Sequence, residues 1–172
     1  MNDNSIRVYD HCYDLENRQH FYQIISTSLF RPSEGSMIST YYSFDLANLG
    51  MISDRSSPEI MNSIVGKTLV STRVRCQTAG DLTRPSVIKS QFTVMIYMAN
   101  LEWPIEWGGH LIILDSQGLE AQGAVIYRPG RVVELAQGMT YFLELPNRAA
   151  RQARYVLEFE FQNPEQRIHR VV

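Results

Sequence analysis

The segment Arg154-Tyr155-Val156-Leu157-Glu158-Phe159-Glu160-Phe161 decides what the rest of the chain can be. Tyr155, Leu157, Phe159 and Phe161 alternate with Val156, Glu158 and Glu160, the two-residue period of a strand with one polar face. Upstream the same kind of pattern recurs at short intervals. Apolar and β-branched runs predict strands over 139–145, 131–135, 124–127, 111–114, 90–98 and 68–76. The last of these ends in the turn residues Thr78-Ala79-Gly80-Asp81. Many short strands after a helical start point to a mainly β fold, a jelly-roll with N-terminal helices supporting one sheet.

Ahead of the strands, Ile6–Tyr9 is a short apolar strand candidate running into a helix that Asp14 can cap. Leu15, Arg18, Tyr22, Ile25 and Leu29 recur at helical spacing and predict its buried stripe, and Arg31-Pro32-Ser33-Glu34-Gly35 predicts a turn after it. Residues 36–46 contain Ile38, Tyr41, Tyr42 and Phe44, β-formers that suit an early strand or an ordered loop. Ser57-Pro58-Glu59 starts a second helix, with Ile60, Ile64 and Val65 as its apolar face. No repeat, low-complexity tract or linker interrupts the 172 residues. The expectation is one domain: helical support and first strands over 1–66, a β core over 67–162 and a tail over 163–172.

The net charge of −2 gives no basic footprint for nucleic acid, and 44% hydrophobic residues can fill a core. Cys12 and Cys76 are far apart and lack metal-finger or redox spacing. No apolar run has membrane-spanning length, and Met1-Asn2-Asp3-Asn4 is polar, so a cytoplasmic protein without membrane or nucleic-acid partners is expected. There is no glycine-rich phosphate loop and no nucleophile elbow.

Four motifs follow one another between residues 96 and 161. They are Ile96-Tyr97-Met98-Ala99-Asn100, Trp107-Gly108-Gly109-His110-Leu111, Arg128-Pro129-Gly130-Arg131-Val132-Val133 and Arg154-Tyr155-Val156-Leu157. Their order and spacing resemble the prolyl-4-hydroxylase-like branch of the iron and 2-oxoglutarate dioxygenase superfamily. The resemblance implies a double-stranded β-helix, ferrous iron held by two histidines and a carboxylate, and 2-oxoglutarate as co-substrate. After Arg73-Val74-Arg75-Cys76 and Gly80-Asp81-Leu82, it places the His-x-Asp of the iron site among Arg84-Pro85-Ser86-Val87-Ile88. It places the distal histidine within Thr140-Tyr141-Phe142-Leu143-Glu144. Neither segment contains histidine, and His11, His20, His110 and His169 lie elsewhere. Glu144 is a lone carboxylate, a poor site for iron. The resemblance therefore implies a retained frame without its iron ligands.

Within that frame Arg154 matches the arginine that clamps the far carboxylate of 2-oxoglutarate, work suited to a planar fork of donors. The alternative is an arginine that simply opens the last strand beside Arg148 and Arg151. Tyr141 and Phe142 would fill the volume of a missing metal, with Tyr141 as an acid, or serve as core aromatics. Arg84 and Ser86 offer an anion contact or a solvated turn; Met98 and Leu111 line a pocket or pack. Glu158 and Glu160 are acid–base candidates if they point into the barrel, whereas strand alternation favours a polar outer face. Trp103 and Trp107 border the pocket mouth or pack.

Three functional expectations follow. The first is a metal-independent protein without cofactor that binds a small carboxylate or carbonyl compound in the jelly-roll pocket, with acid–base cyclisation, isomerisation or elimination as its chemistry. The second is a non-catalytic pseudoenzyme that binds protein, with the stripe of the first helix suited to pairing two copies as a homodimer. The third is a hydroxylase using Fe(II) and 2-oxoglutarate through unusual ligands. An open pocket lined by Arg154 and a buried carboxylate would favour the first, and a cavity filled by Tyr141, Phe142 and Met98 the second.

Overall fold

The computed structural model describes residues 6–27, 31–32, 40–42, 57–81 and 83–164. Its elements in chain order are β1 (Ile6–Tyr9), α1 (Leu15–Thr27), β2 (Arg31–Pro32), β3 (Thr40–Tyr42) and α2 (Pro58–Ile64), then β4 (Thr68–Gln77), β5 (Ser86–Val87) and β6 (Phe92–Met98). A 3-10 turn at Ile105–Trp107 leads to β7 (Leu111–Leu114), β8 (Ala121–Val125), β9 (Val132–Leu135), β10 (Thr140–Leu143) and β11 (Arg154–Gln162). Two antiparallel sheets face each other, one ordered β1-β9-β6-β11-β4-β3-β2 and the other β5-β10-β7-β8. This is the double-stranded β-helix, with the helices on the outer side of the larger sheet.

β11 is the middle strand of the larger sheet, and both of its faces are covered. Leu157, Phe159 and Phe161 join a core with Phe21 and Ile25 of α1 and Ile60 of α2. Val156 turns the other way, into a second core between the sheets with Ile96, Met98, Leu111, Ile113 and Leu143. Glu158 therefore faces the barrel interior and is buried there, against the outer polar face that alternation favoured. The helical layer took the aromatic face, which left the carboxylate face to the second sheet.

Asp14 caps α1, its Oδ1 accepting from Asn17 N at 2.8 Å. Of the described residues in the expected stripe of α1, Ile25 is buried, sharing the face with Phe21, while Leu15 is 60% exposed and Arg18 and Tyr22 are half-buried. Tyr13, just before the helix, folds under the first turn and stacks edge-on against Phe21 and Tyr97, each at 5.3 Å. That ring fills the space assigned to Leu15. Ser57 caps α2, with Ile60 N donating to its Oγ at 3.5 Å. Val65, expected in the buried face of α2, is 75% exposed where the chain leaves the helix in an extended conformation.

The strand expected over 124–127 runs instead from Ala121 to Val125. Asp115 Oδ1 accepts from Leu119 N and Glu120 N, tightening the turn so that pairing with β7 begins earlier. The strand expected over 90–98 starts at Phe92, after a turn closed by Phe92 N donating to Lys89 O. That over 139–145 is confined to Thr140–Leu143. The two-residue β5 was not expected. Thr40–Tyr42 is a strand within the β-forming stretch 36–46, whose other residues lie outside the described ones. The turn placed at 31–35 begins as strand β2, and 33–35, Leu29, Leu82 and the tail from 165 on, His169 included, also lie outside them. Among the described residues no helix is long and apolar enough to cross a membrane.

Phe21→Ala is expected to remove about 3–5 kcal/mol of unfolding free energy in denaturant melts, and Leu15→Ala about 0.5 kcal/mol or less. Equal losses would mean that α1 docks on its Leu15 face after all.

Candidate functional site

The two segments where the resemblance locates iron ligands are neighbours. β5 pairs with β10, and Ser86 stands opposite Tyr141. Ser86, Ile88 and Tyr141 line a cavity of about 70 Å3, closed from the larger sheet by Arg73, Glu158 and Glu160. Pairing of β11 with β4 explains the last three, since Glu158 registers with Arg73 and Glu160 with Ser71.

Glu158 is the centre of a buried network. Its Oε2 accepts from Arg75 Nε at 2.9 Å and lies 2.8 Å from the second guanidinium nitrogen, NH2. Its Oε1 accepts from the Tyr141 hydroxyl at 3.2 Å. Arg75, Tyr141 and Glu158 are all buried. Burial, and then the negative charge of Glu158, push the Tyr141 hydroxyl far above the usual phenol range. The phenol is a fixed neutral donor to the carboxylate, so the two groups proposed for acid–base work are bonded to each other. An ion pair taken out of water gains little net stability, because desolvation offsets attraction, but it holds its geometry firmly.

Arg154 belongs to a different cluster. It is fully buried and donates to Gly109 O and Gln77 Oε1, with its guanidinium carbon 5.7 Å from the centre of the Tyr127 ring. No carboxylate among the described residues forms an ion pair with it, and burial pushes its pKa down to about 10, so it stays charged at neutral pH. Its Nε and the Gln77 Nε2 are buried without partners. Gly109 has φ +78°, and a Cβ there would meet the guanidinium at 2.9 Å. Next to Arg154, Tyr155 N donates to Asn100 Oδ1 at 2.8 Å, and the Tyr127 hydroxyl lies 2.7 Å from the same oxygen. Three of the four motifs thus meet around one buried knot. It lies about 13 Å from Glu158, four residues away along β11 at a strand's rise.

The remaining candidates are dispersed. Arg84 is exposed; Met98 and Leu111 are buried in the core between the sheets. Met98 Sδ accepts from Arg128 N at 3.2 Å. Phe142 is half-buried and alternates away from Tyr141, so it does not line the cavity. Trp103 packs edge-on against Trp107 at 5.1 Å and also contacts Tyr127. Glu144 Oε2 accepts from His110 N, and His110 Nδ1 accepts from Tyr127 N.

Arg73, Arg75, Gln77 and Tyr127 were missed as site residues in the sequence. A signal existed for the first two. Arg73 and Arg75 alternate on β4 as Glu158 and Glu160 do on β11, opposite charges at matching period on strands that turn out to be partners.

An iron centre does not fit these residues. The barrel-facing groups at the two ligand segments are a hydroxyl, an alkyl chain and a phenol already bonded to a carboxylate. No three His, Cys, Asp or Glu side chains among the described residues converge to hold a metal. A 2-oxoglutarate clamp at Arg154 does not fit either, since two of its donors are taken by Gly109 and Gln77 and it does not line the cavity.

The sequence matches no family model and no curated protein. Solved structures of low identity share the fold. A prolyl-4-hydroxylase from Pseudomonas putida superposes with a TM-score of 0.66 at 14% identity, covering 93% of each chain. A prolyl hydroxylase from Trichoplax adhaerens, solved with a hypoxia inducible factor peptide, gives 0.67 at 10% identity over 94% of this chain and 85% of that one. HygX from Streptomyces hygroscopicus, solved with nickel, 2-oxoglutarate and hygromycin B, gives 0.69 at 9% identity over 94% and 84%. The chain shares the double-stranded β-helix fold of these structures.

Glu158→Gln removes the carboxylate that the buried Arg75 guanidinium pairs with and is expected to cost about 3–5 kcal/mol of unfolding free energy. Tyr141→Phe is expected to cost about 1 kcal/mol, with less further loss in the double variant than the sum. Additive losses would mean that phenol and carboxylate act independently. Gly109→Ala, strained in φ and pressed on Arg154, is expected to lose at least about 1–3 kcal/mol in the same melts.

Proposed function

We propose that this chain is a metal-independent binding protein, descended from the prolyl-4-hydroxylase-like branch, that holds a small polar ligand in what remains of the barrel cavity without oxygen chemistry. The observation that carries this reading is the Arg75–Glu158–Tyr141 network beside the two segments where the iron ligands belong. It uses a carboxylate and a phenol for internal bonding and leaves about 70 Å3 of polar space. Such a volume is well below the 300–1,000 Å3 of an ordinary substrate pocket. Turnover by Tyr141 or Glu158 is disfavoured, because a buried phenol held this far above its usual range does not release its proton near neutral pH. Ligand binding by Arg154 is disfavoured by its orientation into Gly109 and Gln77.

HygX, solved with nickel and 2-oxoglutarate bound, supplies the contrast. Incubated anaerobically with ferrous iron and 2-oxoglutarate and then exposed to oxygen, the protein is expected to form no succinate above a no-protein control. Metal analysis after desalting is expected to find far less than one iron per chain. Succinate formation, or one iron per chain located in the barrel, would return the protein to the oxygenases.

A further inference from the structure

The cavity walls contain hydrogen-bonding groups that the fold leaves unspent, and these define a ligand. Glu158 is neutralised by Arg75 and bonded to Tyr141. Arg73 and Glu160 are not used in the same way. Their side chains are 52% and 28% exposed and stand 3.9 Å apart, close enough to attract and too far for a hydrogen bond. Among the described residues the side chains of Arg73, Glu160, Ser71 and Ser86 have no hydrogen bond. All four border the same cavity, with Val94 and Ile88 as its apolar floor. The wall therefore offers a loosely paired cation and anion and two hydroxyls, over a space of about 70 Å3 that opens to solvent beside Arg73.

We propose that this cavity is a site for a compact zwitterion of the amino-acid type, with a side chain no larger than a methyl group. The ligand carboxylate takes the Arg73 fork, which is built for two parallel charge-assisted hydrogen bonds. Its ammonium group donates to Glu160, and the Ser71 and Ser86 hydroxyls complete the polar contacts. A loose pair at 3.9 Å is replaced by two hydrogen-bonded ones, while the carbon atoms of the ligand cover Ile88 and Val94. Either half of the ligand alone leaves one wall charge unmatched. Recognition by opposed charges in a small enclosure then rejects simple anions, simple amines and larger amino acids. The site rests on the binding role proposed above. It lies beyond Val156 from Arg154, so it owes nothing to that arginine.

The test is calorimetric titration of the full chain with glycine, alanine, acetate, methylamine and leucine. Glycine and alanine are expected to bind saturably, with acetate, methylamine and leucine at least about tenfold weaker, the loss of one charge-assisted contact. Glu160→Gln and Arg73→Met are each expected to weaken glycine about tenfold or more while circular dichroism stays unchanged. Both residues are partly exposed, so folding should survive, and Glu16→Gln in the first turn of α1, on the helical side of the larger sheet, serves as the unaffected control. Absence of heat with glycine and alanine, equal binding of acetate or methylamine, or glycine affinity unmoved by both variants would overturn the proposal. Failure here without succinate formation in the iron assay removes this ligand alone, whereas succinate formation removes the binding role itself.

Discussion

A carboxylate in the middle strand of a sheet covered on both faces is tolerable only when a cation and a proton donor meet it there. Glu158 has both, Arg75 from the neighbouring strand and Tyr141 from the opposite sheet. The arrangement requires β4 to lie beside β11 in one register and β10 to face them, so side-chain chemistry and topology specify each other. A slip of one residue would send Glu158 into the helical layer among Phe21, Ile25 and Ile60 and part it from Arg75. The cost of burying an ion pair is thereby matched by a gain in uniqueness rather than in stability.

The same frame supports a second buried polar centre of a different kind. Arg154 has no carboxylate partner among the described residues and is held by Gly109 O, Gln77 Oε1 and the face of Tyr127. Its surroundings explain the glycine at 109 more directly than any turn rule, because the guanidinium occupies the place of a side chain. Frame and chemistry separate here. The fold superposes on solved structures over more than nine-tenths of this chain at only 9–14% identity.

Much of the fold was legible because it depends on local pattern. β1 and β7 stand where their sequences place them, and both helix caps are made by the expected Asp14 and Ser57. The misreadings share one cause. Periodicity shows that two faces differ but not which neighbour each will meet. Leu15 lost its place to Tyr13, a ring outside the helix, and Glu158 and Glu160 lie on the inner face because the helices covered the aromatic one. β8 was placed three residues late because Ala121, Gln122 and Gly123 have weak strand preference and are recruited by the Asp115 turn. In the candidate site, Tyr141 and Ser86 came from what the resemblance implies, whereas Arg73 and Arg75 needed the pairing of β4 with β11. Distance along the chain hides such partners, since 83 residues separate Arg75 from Glu158.

The two buried centres have a mechanical consequence. Tyr141 to Glu158 ties the two sheets, and Arg154 to Gly109 ties the larger sheet to the segment that enters β7, the two set on the same strand about four residues apart. A single tie would let the layers pivot around it; two oppose both pivoting and sliding. Opening motion is then left to the rim beyond Glu160, where Arg73 stands half in solvent.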